Sequence, residues 1–242
     1  MREIPSVKQI VGDIVMTQLK YVAEILTKYK YADANKCGNP METKARLVAT
    51  TEEEEAELVS TTEVVLECLS TCTRPDLAYS LGQLSRFVSK PSSKHVGALK
   101  RVLRYLVGTT NYGIRYTRKI SEATMDLTLQ QSRDTEEHQW VGFRLAGSAV
   151  VWMSHRQPII ALPTAEDEYV ASCESSMEAM AECNILTEVL PSHKIKPKIG
   201  IDSSSAHIMA SSPTYSRRRR HIELRWHYVR EQVQRGALGL MV

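Results

Sequence analysis

The sequence contains no uncharged apolar run of about eighteen residues, so no segment reads as a membrane span. Paired Cys-Xaa-Xaa-Cys units are missing too. The five cysteines, Cys37, Cys68, Cys72, Cys173 and Cys183, are odd in number and scattered, which speaks against a disulfide frame or a zinc site. They read as reduced thiols of an intracellular protein, in cytosol or nucleus. The opening MREIPSVKQIVGDIV carries acidic residues and no continuous apolar stretch, which makes a poor signal peptide. No Gly-rich phosphate loop, no HExxH and no GxSxG occurs, which removes nucleotide kinase, zincin and α/β-hydrolase readings. No internal repeat is visible. What remains is ordinary globular composition: 242 residues, 43% apolar, 24% charged, and 31 basic against 28 acidic side chains for a net charge of +3. Those values exclude collagen-like, low-complexity and wholly disordered chains, and the length suits one large domain or two small ones.

The small net charge hides an uneven distribution. Glu52, Glu53, Glu54, Glu55 and Glu57 form a short acidic run that reads as a solvated linker or helix face. Residues 217–235 hold seven arginines against Glu223 and Glu231. Within them, Arg217, Arg218, Arg219 and Arg220 are adjacent, and four guanidinium groups side by side repel unless anions neutralise them. Phosphate is the matching anion, so polynucleotide contact stands beside two plainer readings, an import signal and a solvated loop.

Periodicity divides the chain. Tyr21, Ile25, Leu26 and Tyr29 predict a helix within 18–31, and Gly38, Asn39 and Pro40 mark an extended crossing segment. Pro75 stands where a helix would begin, with Leu77, Leu81, Leu84 and Val88 as its buried stripe. After the break at Lys90–Ser93, Leu99, Val102, Leu103 and Leu106 predict a second amphipathic helix that stops near Gly108. From about Tyr112 the pattern becomes strand-like: Gly113–Thr117, then the alternation of Met125, Leu127 and Leu129, then Val141, Phe143 and Leu145, then Ala149–Met153. A long helix over about 165–190 follows, its inner face built from Val170, Cys173, Met177, Met180 and Leu186. A strand at Lys198–Ile201, helices over 203–210 and 224–234, and a strand over 237–242 complete an α+β arrangement. Trp152 reads as core, and Met177 and Met180 as packing. His221 and His227 read as surface or substrate-backbone residues.

Three acids stand in unusual places: Asp126 in mid-strand, Glu168 near the start of the long helix, and Asp202 at a strand end before small hydroxyl residues. Each has an ordinary explanation, as a solvent-facing strand residue, a favourable charge at a helix N-terminus, and an N-cap. Together they also suit a pair of hard divalent cations, which need oxygen ligands on rigid elements and promote phosphodiester hydrolysis.

Four segments then carry a specific resemblance. CTRPDLAYSLGQLSRFVSKPSSKHVGALKRVLRYLVGTTNYGIRY (Cys72–Tyr116) closely resembles the stretch that follows the polymerase palm in copia-type LTR retrotransposon polyproteins. AVVWMSHRQPIIALPTAEDEYVA (Ala149–Ala171), IGIDSSSAHIMASSP (Ile199–Pro213) and SRRRRHIELRWHYVREQVQRG (Ser216–Gly236) resemble that family's ribonuclease H region. TQLKYVAEILTKYKYADANKCGNPME (Thr17–Glu42) is similar to its thumb approach. The resemblance implies a mainly helical thumb/connection-like segment over 1–111. It implies an RNase H-like mixed sheet flanked by helices over 112–242. It also implies magnesium or manganese bound by Asp126, Glu168 and Asp202, with Arg217–Arg220 on the phosphates of an RNA–DNA hybrid. Activity would be hydrolysis of the RNA strand within the larger polyprotein, in a cytoplasmic particle or the nucleus, with no membrane partner.

Departures from the family pattern set expectations of their own. Where the family has an Asp-Ala-Asp-Trp-Ala-Gly-like run, this chain reads MDLTLQQSRDTEEHQW (Met125–Trp140), so Asp134 rivals Asp126. The stretch STTEVVLECLST (Ser60–Thr71) is also altered. GALGLMV (Gly236–Val242) reads as the last strand, without the family's final helix and its fourth carboxylate. The palm's paired aspartates belong upstream of Met1, so DNA polymerisation is not expected. The alternative to an active nuclease is an inactive fragment that binds nucleic acid or serves as a structural module.

Overall fold

A computed structural model describes residues 4–10, 12–42, 47, 56–89, 91–117, 124–131, 138–145, 147–156, 164–191, 195–200, 204–211 and 228–241. The chain forms two compact units, Met1–Tyr116 and Thr117–Val242.

Among its described residues the first unit joins a small sheet to four α-helices. Strands β1 (Ser6–Ile10), β2 (Asp13–Thr17) and β3 (Gly113–Tyr116) form an antiparallel sheet in the order β1-β2-β3. Gly12 supplies φ +92° in the β1–β2 turn, where a side chain would be strained. Gly113 pairs with Thr17, and a Cβ on Gly113 would stand 2.2 Å from the Met16 carbonyl oxygen, so only glycine fits this approach. Helix α1 (Leu19–Lys28) buries Tyr21, Val22, Ile25 and Leu26. Helix α2 (Ala56–Cys72) contributes Leu66 and Leu69, both fully buried. Pro75 opens a 3-10 turn, Pro75–Leu77, which leads into α3 (Ala78–Ser85). Helix α4 (Ser93–Gly108) buries Leu99, Val102, Leu103 and Leu106 in the same core.

The structure moves the boundary between the parts. A division after residue 111 would assign Gly113–Tyr116 to the second part, but this strand completes the sheet of the first by pairing with β2. The first part is therefore less purely helical than its periodicity suggests.

The second unit is built on a five-stranded mixed sheet. Strands β4 (Thr124–Gln131), β5 (His138–Leu145) and β6 (Ser148–Arg156) form an antiparallel meander. Strand β7 (Lys196–Gly200) adds parallel to β4, and β8 (Gly239–Met241) parallel to β7, giving the order β6-β5-β4-β7-β8. Helix α5 (Thr164–Val189) packs against β4, β5 and β7, and with α6 (Ser204–Ser211) and α7 (Tyr228–Gln234). Phe143, Cys173, Ile199 and Val229, all fully buried, centre the core. This is the RNase H-like mixed sheet flanked by helices that the resemblance implies. One packing expectation fails. Met177 is 40% exposed, because the buried stripe of α5 runs through Ser172, Cys173, Ser176, Ala179 and Cys183 instead.

Candidate functional site

The β4–β7 pair decides which acids can meet. Leu127 is in register with Phe143 of β5 and Ile199 of β7, both fully buried. Asp126 is in register with Arg144 on one side and Lys198 on the other. Thr124 pairs with Lys196 and Leu127 with Ile199, an offset of 72 at both points that brings Gly200, the end of β7, level with Thr128. Asp126 stands two residues short of that level, roughly 7 Å along the strand. At and past it β4 continues Thr128, Leu129, Gln130, Gln131, with no acid.

Glu168 is the fifth residue of α5, a helix that packs on both β4 and β7. Asp202 follows the last residue of β7 by two positions in the chain and lies outside the described residues, as do the rival Asp134 and the run Arg217–Arg220. His221, Trp226 and His227 lie outside them as well. Among the described residues no group of three or more His, Cys, Asp or Glu is placed to hold a metal ion.

Magnesium needs converging oxygens, and a two-metal centre keeps its ions about 3.5–4 Å apart. Carboxylates at the start of α5 and just after β7 suit that chemistry. Asp126 suits it poorly: it is flanked by two cations in register and set back from the end of β7.

In the first unit, the Arg-Pro-Asp of the CTRPD stretch does defined work that its sequence left unassigned. The side chain of Arg74 is 1% exposed. Its Nε donates to Asp76 Oδ1 at 3.0 Å and its Nη2 to Asp76 Oδ2 at 2.7 Å. Nη1 donates to the Thr109 carbonyl at 3.0 Å, and Nη2 also donates to Thr109 Oγ1 at 2.7 Å. The guanidinium lies 5.7 Å from the Tyr105 ring centre and 5.5 Å from that of Tyr112. Tyr105 donates its hydroxyl to Asp76 Oδ2 at 2.9 Å, and burial, then Asp76, push its pKa up to about 12. The arrangement ties the entry to α3 to the end of α4. The sequence signal was a proline fixing the turn between a cation and an acid.

Two further buried groups have perturbed titration. His95 is fully buried and receives the Ser92 backbone N–H on Nδ1 at 2.8 Å, closing a capping box at the start of α4. Its Nε2 has no hydrogen-bond partner among the described residues, and burial pushes its pKa below the usual 6.5. Tyr21 donates to the Val65 carbonyl at 3.2 Å, and its pKa is pushed up to about 12, first by burial and then by Cys68.

Comparison with known proteins covers the whole chain. It is similar to the retrovirus-related Pol polyprotein from transposon TNT 1-94 of Nicotiana tabacum, at 27% identity over 265 residues, all of this chain and 20% of that protein. The Pol polyprotein from transposon RE2 of Arabidopsis thaliana is 29% identical over 97% of this chain and 16% of its own length. The chain thus spans a fifth or less of these polyproteins. A shorter relative, secreted RxLR effector protein 161 of Plasmopara viticola, is 41% identical over 46% of this chain and 82% of its own length. No family model matches. Among solved structures, the foamy viral protease-reverse transcriptase in complex with double-stranded DNA aligns with 97% of this chain and 44% of its own, at TM-score 0.53 and 9% identity. At that identity the likeness is one of fold.

Proposed function

The chain belongs to the copia-type LTR retrotransposon Pol polyproteins, and we propose that its second unit is an RNase H-type module that hydrolyses the RNA strand of RNA–DNA hybrids. The observation that carries this reading is the sheet order β6-β5-β4-β7-β8, with the acid-bearing helix α5 packed on the central pair β4 and β7. Glu168 and Asp202 are the carboxylates that would hold magnesium or manganese, intracellularly, as part of the longer polyprotein. Bound there, a divalent cation supplies an activated water and offsets charge on the leaving oxygen. Arg217–Arg220 contact the hybrid's phosphates, an interaction insensitive to sequence and weakened by salt.

A second reading is favoured by the register of Asp126. In register it pairs with Arg144 and Lys198, two residues short of the level where β7 ends, and a centre without a strand carboxylate would bind hybrid and cut feebly or not at all. One experiment separates the two. Purified chain is incubated with a hybrid labelled on both strands, with magnesium or manganese. Cleavage confined to the RNA strand supports the nuclease. Salt-sensitive binding without cleavage supports the inactive module.

A further inference from the structure

Helix α4 has a cationic side that the core does not use. Lys94, Gly97, Ala98, Arg101 and Arg104 recur at i, i+3, i+4, i+7 and i+10 and so share one face, with Lys100 beside them. The segment Asn35–Glu42 crosses this face as a strap. The Cys37 N–H donates to the Arg104 carbonyl at 3.1 Å, and Arg104 Nε donates to the Asn35 carbonyl at 2.7 Å. Arg101 donates from Nη2 to Asn39 Oδ1 at 2.6 Å and from Nη1 to Glu42 Oε1 at 2.9 Å. Between strap and helix lies a cleft of about 410 Å³, closed on the strap side by Met41, Glu42 and Leu47.

The cleft's charge is unbalanced. Among the described residues four cations line it against one acid, Glu42, which is already engaged by Arg101. Lys100 and Arg104 are four residues apart and Arg101 and Arg104 three, spacings at which like charges on a helix repel. Lys94 and Lys100 form no ion pair with any described residue. Arg101 Nε is buried with no acceptor among the described residues, a state that buried donors rarely keep. The floor is apolar: Met41 is 8% exposed, Ala98 is half-buried, and a Cβ added at Gly97 would meet nothing within 4 Å. A volume of this size accommodates more than an inorganic ion.

We propose that this cleft binds an organic phosphate of nucleotide size, with the phosphate on Lys94, Lys100 and Arg101 and the apolar body over Gly97 against Met41, Leu47 and Ala98. A free nucleotide and a phosphodiester strand offer the same chemistry. The site is independent of the reading of the second unit.

The test is calorimetric titration of the full chain with adenosine 5′-monophosphate, adenosine, inorganic phosphate and a six-residue oligothymidylate. Binding of the monophosphate at least tenfold tighter than adenosine or phosphate alone is expected, and identifies a free nucleotide as occupant. Binding of the oligonucleotide alone supports the site and identifies a strand. Lys94→Gln with Lys100→Gln should weaken binding tenfold or more, whereas Lys8→Gln with Lys20→Gln, which removes the same charge from exposed positions elsewhere, should leave it unchanged. Gly97→Leu should abolish binding and raise the Tm, since leucine fills the cleft and is the better helix former. No binding by the unaltered chain overturns the proposal. So does equal loss in both lysine pairs, or unchanged binding in Gly97→Leu.

Discussion

Replacing Asp76 by alanine should cost the first unit more than any other single change to its surface polar groups. Arg74 would keep its charge in a site where it is 1% exposed, and would lose three of its five side-chain hydrogen bonds, those at 3.0, 3.2 and 2.7 Å to the carboxylate. Tyr105 would lose its acceptor as well. Breaking a buried pair by deleting one partner costs about 3–5 kcal/mol, because the survivor is left desolvated and unpaired. The Asp76 side chain is itself 30% exposed, so water can reach part of the vacated space, and about 2–3 kcal/mol is the fitting magnitude. Removing both ends should hurt less: Arg74→Met with Asp76→Ala takes the charge away and leaves an apolar stem between the two tyrosine rings. Urea unfolding followed by far-ultraviolet dichroism gives the stabilities. All three tryptophans, Trp140, Trp152 and Trp226, lie beyond residue 117, so their emission reports the second unit and a shift confined to dichroism assigns the loss to the first. An Asp76→Ala midpoint equal to the unaltered protein's, or a double variant weaker than the sum of its singles, would refute the reasoning.

Two further outcomes follow from the described geometry. His95 is held neutral by burial, so below its ordinary value of 6.5 the unfolded chain takes up a proton that the folded one refuses. Stability should fall as pH drops beneath 6.5 and flatten once pH passes the lowered folded value. His95→Gln should remove that slope in a denaturation series from pH 7.5 to 4.5. In the second unit, Asp126→Asn should leave hybrid cleavage near its original rate, since Asp126 stands two residues short of the level where β7 ends. Gln130→Asp, which puts a carboxylate on the same face of β4 and beyond the level where β7 ends, should tighten magnesium binding in calorimetry. The opposite ranking of these two variants would restore Asp126 as a ligand.

Much of this architecture was legible because long elements bury one regular face. The alternation of Met125, Leu127 and Leu129 foretold β4, and the spacing of Leu99, Val102, Leu103 and Leu106 foretold α4. Strand β1 escaped notice because every one of its five residues is exposed, which erases the two-residue hydrophobic signal. Helix α2 was obscured by the acidic run before it and by its threonines and serines, although Leu66 and Leu69 are fully buried. Met177 misled because several apolar stripes can be drawn on a helix as long as α5, and tertiary contact alone selects among them. For the site, Glu168 and Asp202 follow from motif matches, whereas the level of Asp126 depends on a pairing of strands 72 residues apart, which no local pattern records.

The most direct test of the central claim is a strand-resolved cleavage assay on an RNA–DNA hybrid with magnesium, comparing the unaltered chain with Asp202→Asn. The account predicts cuts in the RNA strand only, slow in the unaltered chain and absent in the variant, with hybrid binding and thermal stability preserved in both. Equal cleavage by the two proteins, or cleavage of the DNA strand, contradicts it.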